Sequence, residues 1–291
     1  MLNSDSSGRL VVVTGAAGGI GAAIAARFAA EDRVVSLWDL DPAVHETATA
    51  IAATMASAAP LDDDTSRRSD GSARTATLPR SGAAVHGVTV DITDAEAVRA
   101  AFDRLTAEHG TVEVLVHAAG IMVGGTPLDL DPAGWTHCLT VNATGTMLVT
   151  QRAATEMAAA GSGAIVVVSS NAAATPRVGM AAYGAAKAAA VAFTKSLALQ
   201  VAPLGVRVNL VSPGSTDTAM LRDLFGGTPL DEAAETALLD GDPAAYRLGI
   251  PLRRIAAPAD VASAVHFLAS DGARHITMHD LRVDGGATLD M

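Results

Sequence analysis

Tyr183 stands four residues before Lys187, and that pair is the part of this sequence best suited to acid/base chemistry. On a helix, positions i and i+4 lie one above the other, so an ammonium can sit beside a phenol and favour its ionised form. A free phenol, with a pKa of about 10, is a weak base at neutral pH; lowering that value makes it useful for proton transfer. Tyr183 is one of only 2 tyrosines in the chain, and Lys187 and Lys195 are its only lysines among many arginines. A compact point charge rather than a planar fork therefore suits this position. Ser170 closes the apolar run AIVVVSS, where a hydroxyl at a strand end can both donate to and accept from a reacting oxygen. Ser169 competes with it for that role. Asn142, inside LTVNATGTMLV, is disfavoured by helix propensity and is expected to hold a backbone kink or a water.

A second group of residues suits phosphate. The run Thr14-Gly15-Ala16-Ala17-Gly18-Gly19-Ile20-Gly21 joins an apolar strand to the helical stretch AAIAARFAA. Glycines at a strand-to-helix turn let backbone amides approach a pyrophosphate, while the helix N-terminus supplies partial positive charge. Beyond it, at the end of the next apolar run, Asp39 is placed to accept hydrogen bonds from an adenosine ribose. Ala16, Ala17 and Leu40 provide no cation for a 2'-phosphate, so NAD is the expected cofactor.

These residues need a scaffold, and the hydrophobic pattern supplies one. Short β-branched runs at 10–13, 33–38, 84–90, 112–117, 164–169, 206–211 and 281–283 alternate with alanine-rich helical stretches. Continuous apolar strands separated by helices predict a parallel sheet covered on both faces. The expected fold class is α/β: one doubly wound Rossmann domain over 1–291, with a seven-stranded parallel sheet flanked by helices. Asp41-Pro42 reads as one helix start, and Thr93 with Glu96 as a capping box opening another. Residues 59–82 are polar and aperiodic, and are expected to form a flexible surface insertion. Residues 212–251, richer in Leu, Met and Phe, follow the sixth strand and read as a substrate lid.

Composition narrows the functional classes. A net charge of -11 and no run of basic residues argue against nucleic acid as a partner. No stretch is apolar enough to span a bilayer and the N-terminus lacks a secretory pattern, so no membrane partner and a cytoplasmic location are expected. Cys138 is the single cysteine and reads as a buried hydrophobe, and no metal site is expected.

Taken together, TGAAGGIG (14–21), Asp39, VDIT (90–93), HAAG (117–120), Asn142, Ser170, Tyr183 with Lys187, SPGSTDT (212–218) and VDGG (283–286) resemble the short-chain dehydrogenase/reductase family over nearly the whole chain. The resemblance implies that Tyr183 transfers the proton and that Lys187 lowers its pKa and binds the nicotinamide ribose. It implies that Ser170 positions the substrate oxygen and that Asn142 holds a relay water. Cofactor contacts are expected at Gly15, Gly19, Ile20, Gly21, Asp39, Ala119, Gly120, Pro213 and Gly214. Asp91 and Ile92 are expected at the adenine, and Thr218 with the Thr216 backbone at the carboxamide. A homotetramer or homodimer is implied, with the stretch 258–270 at one interface.

Within that family, the stretches 175–187, 211–220, 248–256 and 275–286 resemble members that oxidise a cyclic diol carboxylate to a catechol. In that reading Arg177 forms a bidentate pair with the ring carboxylate, and Met122, Met180 and Met220 wall a flat ring. A substrate with an amine at the second ring position, another carbonyl substrate, and a silent dinucleotide sensor are the competing readings. Two features depart from the family pattern: His117 replaces the usual Asn, and the insertion at 59–82 is longer than the resemblance implies. Met278 stands where most members carry Gly, as members of this group tend to carry a larger residue.

Overall fold

Alternate residues of the first apolar run point to opposite layers of the molecule: Leu10 and Val12 join one core, Val11 and Val13 the other. The fold is that of a parallel sheet buried on both faces. The computed structural model describes residues 10–31, 33–58, 84–227 and 229–289; the expected insertion at 59–82 lies outside them.

The chain runs through β1 (Leu10–Thr14), α1 (Gly19–Ala29), β2 (Val34–Asp39), α2 (Val44–Ala58), β3 (Ala84–Thr89), α3 (Ala95–His109) and β4 (Val112–His117). It continues through α4 (Pro132–Leu139), α5 (Gly145–Ala160), β5 (Gly163–Val168), α6 (Ala181–Val201) and β6 (Val206–Pro213). Two short helices, α7 (Ala219–Asp223) and α8 (Glu232–Asp240), and a small hairpin of β7 (Gly241–Asp242) and β8 (Arg247–Leu248) follow. Then come α9 (Pro258–Ala269) and β9 (Asp280–Val283). The main sheet has seven parallel strands in the order β3-β2-β1-β4-β5-β6-β9. All seven predicted strands are present, with ends shifted by at most two residues.

Residues of α3, α5 and α6 pack on one face, where Phe102 meets Trp38 edge-on with ring centroids 4.8 Å apart. Residues of α1, α2 and α9 pack on the other through Ile24, Phe28, Val44, Val261 and Val265. Chain direction reverses its progress across the sheet between β1 and β4, and this reversal opens a crevice at the carboxyl ends of the strands.

Local chemistry departs from expectation at two points. The N-cap of α3 is Asp94, whose Oδ1 accepts from the amides of Glu96 at 2.8 Å and Ala97 at 3.1 Å. Thr93 does not cap the helix, because its hydroxyl donates back to Asp91 Oδ1 at 2.7 Å. Met278 adopts a left-handed φ of 64°, which explains why glycine is usual there: an L side chain costs about 1 kcal/mol in that conformation. Its packing against the core offsets part of that cost.

Candidate active site

Backbone contacts that exclude any side chain build the cofactor end of the crevice. Gly15 has φ +69°, and a Cβ there would lie 2.6 Å from the Ala119 main chain; a Cβ on Gly21 would lie 2.1 Å from Gly15 O. The loop can close only with glycine at both places. No side chain caps α1 at Gly18, and the space beside Gly18 is open. The first-turn amides of α1 thus lack a side-chain partner among the described residues, an arrangement that fits a pyrophosphate. Thr218 lies opposite, with its methyl carbon 3.4 Å from a Cβ built on Gly19.

At the end of β2 the Asp39 carboxylate is already oriented. Its Oδ2 accepts from Ala17 N at 2.9 Å and its Oδ1 from Asp41 N at 3.0 Å, and Leu40 beside it is exposed. Each oxygen retains a lone pair for a ribose hydroxyl. Asp91 is held by the amide and hydroxyl of Thr93. Ile92 packs its side chain against Gly145, so a ligand contact there falls to its main chain.

At the centre, α6 brings Tyr183 and Lys187 together on its buried face with Ala182, Ala186 and Ala190. Small residues around them let the helix approach the sheet closely. Lys187 Nζ donates to Val168 O at 3.1 Å and lies 5.8 Å from the centroid of the Tyr183 ring. Burial pushes the Tyr183 phenol up to about 12; hydrogen bonding with Ser170 and the charge of Arg177 pull it down, and Cys138 adds to the rise. Burial likewise lowers the Lys187 ammonium to about 8. The sequence led us to expect a phenol lowered by Lys187. In the protein alone the opposite holds, because desolvation outweighs every local contact and the ammonium is itself depressed.

Asn142 resolves its helical anomaly through a π-turn at Thr140–Thr144 that links α4 to α5. Its Nδ2 donates to Ile121 O at 2.9 Å and Cys138 O at 3.0 Å, and its Oδ1 accepts from Ile121 N at 3.3 Å. Gly120 passes between this amide and Lys187: a Cβ there would meet Asn142 Oδ1 at 2.7 Å and Lys187 Nζ at 3.1 Å. Ser170, not Ser169, faces Tyr183; the Ser169 hydroxyl is buried without a partner among the described residues. His117 Nδ1 lies 2.9 Å from Thr14 Oγ1, which also accepts from Ala119 N at 3.3 Å. The direction of the Thr14–His117 bond follows the ring tautomer, and the second ring nitrogen, Nε2, is buried with no partner among the described residues. Burial, with the Lys187 charge, lowers His117 to about 3, so it is neutral. His117 thus ties β1 to β4 where the family pattern has Asn.

Beyond the tyrosine the crevice widens into an open cleft. Ser170, Tyr183, Met122, Met180, Pro213, Gly214, Thr216, Thr218 and Met220 line it, with Arg177 on one side. The predicted lid segment supplies Leu224, Phe225, Leu238 and Arg247. Arg247 escaped the sequence reading. It lies one residue before the stretch that carries the resemblance, and nothing in its local sequence separates it from the exposed arginines nearby. A larger groove at the opposite edge of the sheet includes Arg207, but that guanidinium is committed to the carbonyls of Leu268, Ala269 and Ser270.

A doubly wound sheet with a glycine cradle, a buried Tyr/Lys pair and a serine facing the phenol defines a nicotinamide-dependent oxidoreductase. The chain belongs to the short-chain dehydrogenase/reductase family, and residues 64–288 match the family model described as enoyl-(acyl carrier protein) reductase. The vibriobactin-specific 2,3-dihydro-2,3-dihydroxybenzoate dehydrogenase of Vibrio cholerae is 45% identical over 201 residues, which cover 69% of this chain and 75% of that one. The 2,3-dihydro-2,3-dihydroxybenzoate dehydrogenase of Bacillus subtilis is 36% identical over 282 residues, 97% of each chain. Among solved structures, a short-chain type dehydrogenase/reductase from Mycobacterium ulcerans superposes with a TM-score of 0.79 at 28% identity, covering 96% of this chain and 89% of that one.

Proposed function

We propose that this protein oxidises 2,3-dihydro-2,3-dihydroxybenzoate to 2,3-dihydroxybenzoate with NAD, providing a catechol for siderophore or related secondary metabolism. The observation that carries the reading is Arg177. It lines the same cleft as Ser170 and Tyr183, and among the described residues it has no ion-pair partner. A guanidinium so placed suits a ring carboxylate. The curated relatives named above support the same substrate.

Gly15, Gly19, Ile20 and Gly21 would hold the pyrophosphate, and Asp39 the adenosine ribose, which favours NAD over its phosphorylated form. Asp91 and the Ile92 main chain would meet the adenine. Ala119, Gly120, Pro213, Gly214, Thr216, Thr218 and Lys187 would hold the nicotinamide end. When bound there, the nicotinamide supplies a hydride acceptor whose ring is positively charged. Ser170 holds the reacting hydroxyl, and Tyr183 removes its proton as the carbinol C–H bond breaks. Lys187 and the charge brought by the cofactor favour the phenolate that this step needs, against the upward pull of burial. Asn142 holds a water that returns the proton to solvent. Loss of the proton and hydride leaves a ring ketone that tautomerises to the catechol. Met122, Met180 and Met220 close on the faces of the flat ring, and residues 212–251 cover it as a lid. Assembly as a homotetramer or homodimer and a cytoplasmic setting complete the proposal. Phe267 is exposed on α9, the helix expected at one interface. No helix among the described residues is long and apolar enough to cross a membrane.

Incubation with NAD and the dihydrodiol acid is expected to yield NADH and 2,3-dihydroxybenzoate; no NADH refutes the reading. Arg177→Leu is expected to raise KM for the acid by about tenfold or more, the equivalent of one charged hydrogen-bonded contact. An unchanged KM removes Arg177 from the site.

A further inference from the structure

We propose that Arg247 is the second half of a two-guanidinium clamp that, with Arg177, holds the carboxylate of an aromatic or cyclohexadiene ring acid. This rests on the reading of the substrate as a ring acid, and adds to it a residue from the lid. Arg247 lies in β8, and its side chain reaches the cleft that Arg177 lines from the loop after β5. Its Nη2 donates to Ser215 Oγ at 3.0 Å. Ser215 sits between Gly214 and Thr216, on the loop that lines the cofactor end of the same cleft.

Neither guanidinium has a carboxylate within ion-pair distance among the described residues. The carboxylates that act on them electrostatically are committed elsewhere. Asp284 accepts from Asn171 Nδ2 at 3.1 Å, Gly286 N at 3.0 Å and Thr288 Oγ1 at 2.6 Å. Asp242 accepts from the amides of Ala244 and Ala245. Both arginines are half-buried; burial lowers both guanidinium groups from their usual value, and the charge of Arg247 lowers that of Arg177 further. Two like charges converging on a cleft walled by methionine, leucine and phenylalanine repel one another. A carboxylate between them reverses the sign of that interaction. It also has about four lone-pair positions, of which one fork occupies two and leaves the others for a second donor group.

The two arginines belong to different parts of the chain, so the clamp does more than add affinity. Arg177 is fixed beside α6 and Tyr183, whereas Arg247 is carried by the lid and tied to the cofactor loop. An acid bound by both draws the lid onto the ring and seats it beside the nicotinamide end. A neutral diol gains neither contact, and the half-buried charges stay uncompensated.

The test is calorimetric titration of the NAD-saturated protein with salicylate, a stable ring acid, and with catechol, its uncharged counterpart. Wild type is expected to bind salicylate at least about tenfold more tightly than catechol, the effect of one charged contact. Arg247→Gln should erase most of that preference, and Arg247→Lys, which keeps the charge but not the fork, should restore part of it. In turnover, Arg247→Gln should raise KM for the dihydrodiol acid more than it lowers kcat. Equal salicylate affinity in wild type and Arg247→Gln overturns the clamp, as does an equal loss of salicylate and catechol binding, which marks a structural role. Should the protein fail to oxidise the dihydrodiol acid while Arg247→Gln still abolishes the preference for salicylate, the substrate reading falls and the anion clamp stands.

Discussion

Replacing Lys187 with methionine should remove activity and, over a defined pH range, change how stability responds to pH. Lys187 is 5% exposed, and burial lowers its ammonium from 10.5 to about 8. At about 1.4 kcal/mol per pH unit, this corresponds to about 3 kcal/mol by which folding disfavours the charged form. The sign follows from proton counting. Between pH 8 and 10.5 the unfolded chain binds this proton and the folded protein releases it, so wild-type stability rises with pH across that window relative to a chain lacking the group. Below pH 8 both states are protonated and the full penalty persists. Methionine removes the penalty and preserves the apolar stem, but leaves Val168 O without its donor, at a cost of about 1–3 kcal/mol. The two stabilities are therefore expected to be similar at pH 7, while wild type gains about 3 kcal/mol on the variant between pH 8 and 10.5. Urea unfolding of both proteins at fixed protein concentration and several pH values measures this difference directly. Parallel stability curves would show that Lys187 is not held depressed, and the electrostatic account of the Tyr183/Lys187 pair would fail with it.

Two further outcomes follow from the same geometry. Asn142→Ala strips the Ile121 main chain of both its partners and the Cys138 carbonyl of one. It should destabilise the protein by about 2–5 kcal/mol, from buried groups left unpaired, as measured by urea unfolding; a loss below about 1 kcal/mol would mean that the π-turn holds without its asparagine. Replacing Asp39 with Ser and Leu40 with Arg together removes the ribose acceptor and adds a phosphate partner. The ratio of kcat/KM with NAD to that with NADP should fall by at least about tenfold, and an unmoved ratio would take Asp39 out of cofactor selection.

The elements that can be read along the chain are those whose cause is local. The β-branched runs, the glycine loop and the i, i+4 placement of Tyr183 and Lys187 express backbone sterics and helical periodicity, which act within a few residues. They set the seven strands, their parallel pairing and the place of the cradle. Even where the sequence reading erred locally, at the start of α3, the error was one residue: Asp94 takes the helix amides because Thr93 is drawn to Asp91. The π-turn at Asn142 was legible as a backbone kink or a water at a misplaced polar residue, but its partners at Ile121 were not, since they belong to another segment. Three features depend on what lies far away in the chain. The phenol rises to about 12 because surrounding elements exclude water from it. His117 stays neutral because it is buried between strands and near Lys187. Arg247 lines the same cleft as Arg177 because the segment after β6 returns to the carboxyl edge of the sheet. Desolvation and convergence are properties of the packed molecule, so a residue's charge state and its place in this cleft depend on distant segments meeting.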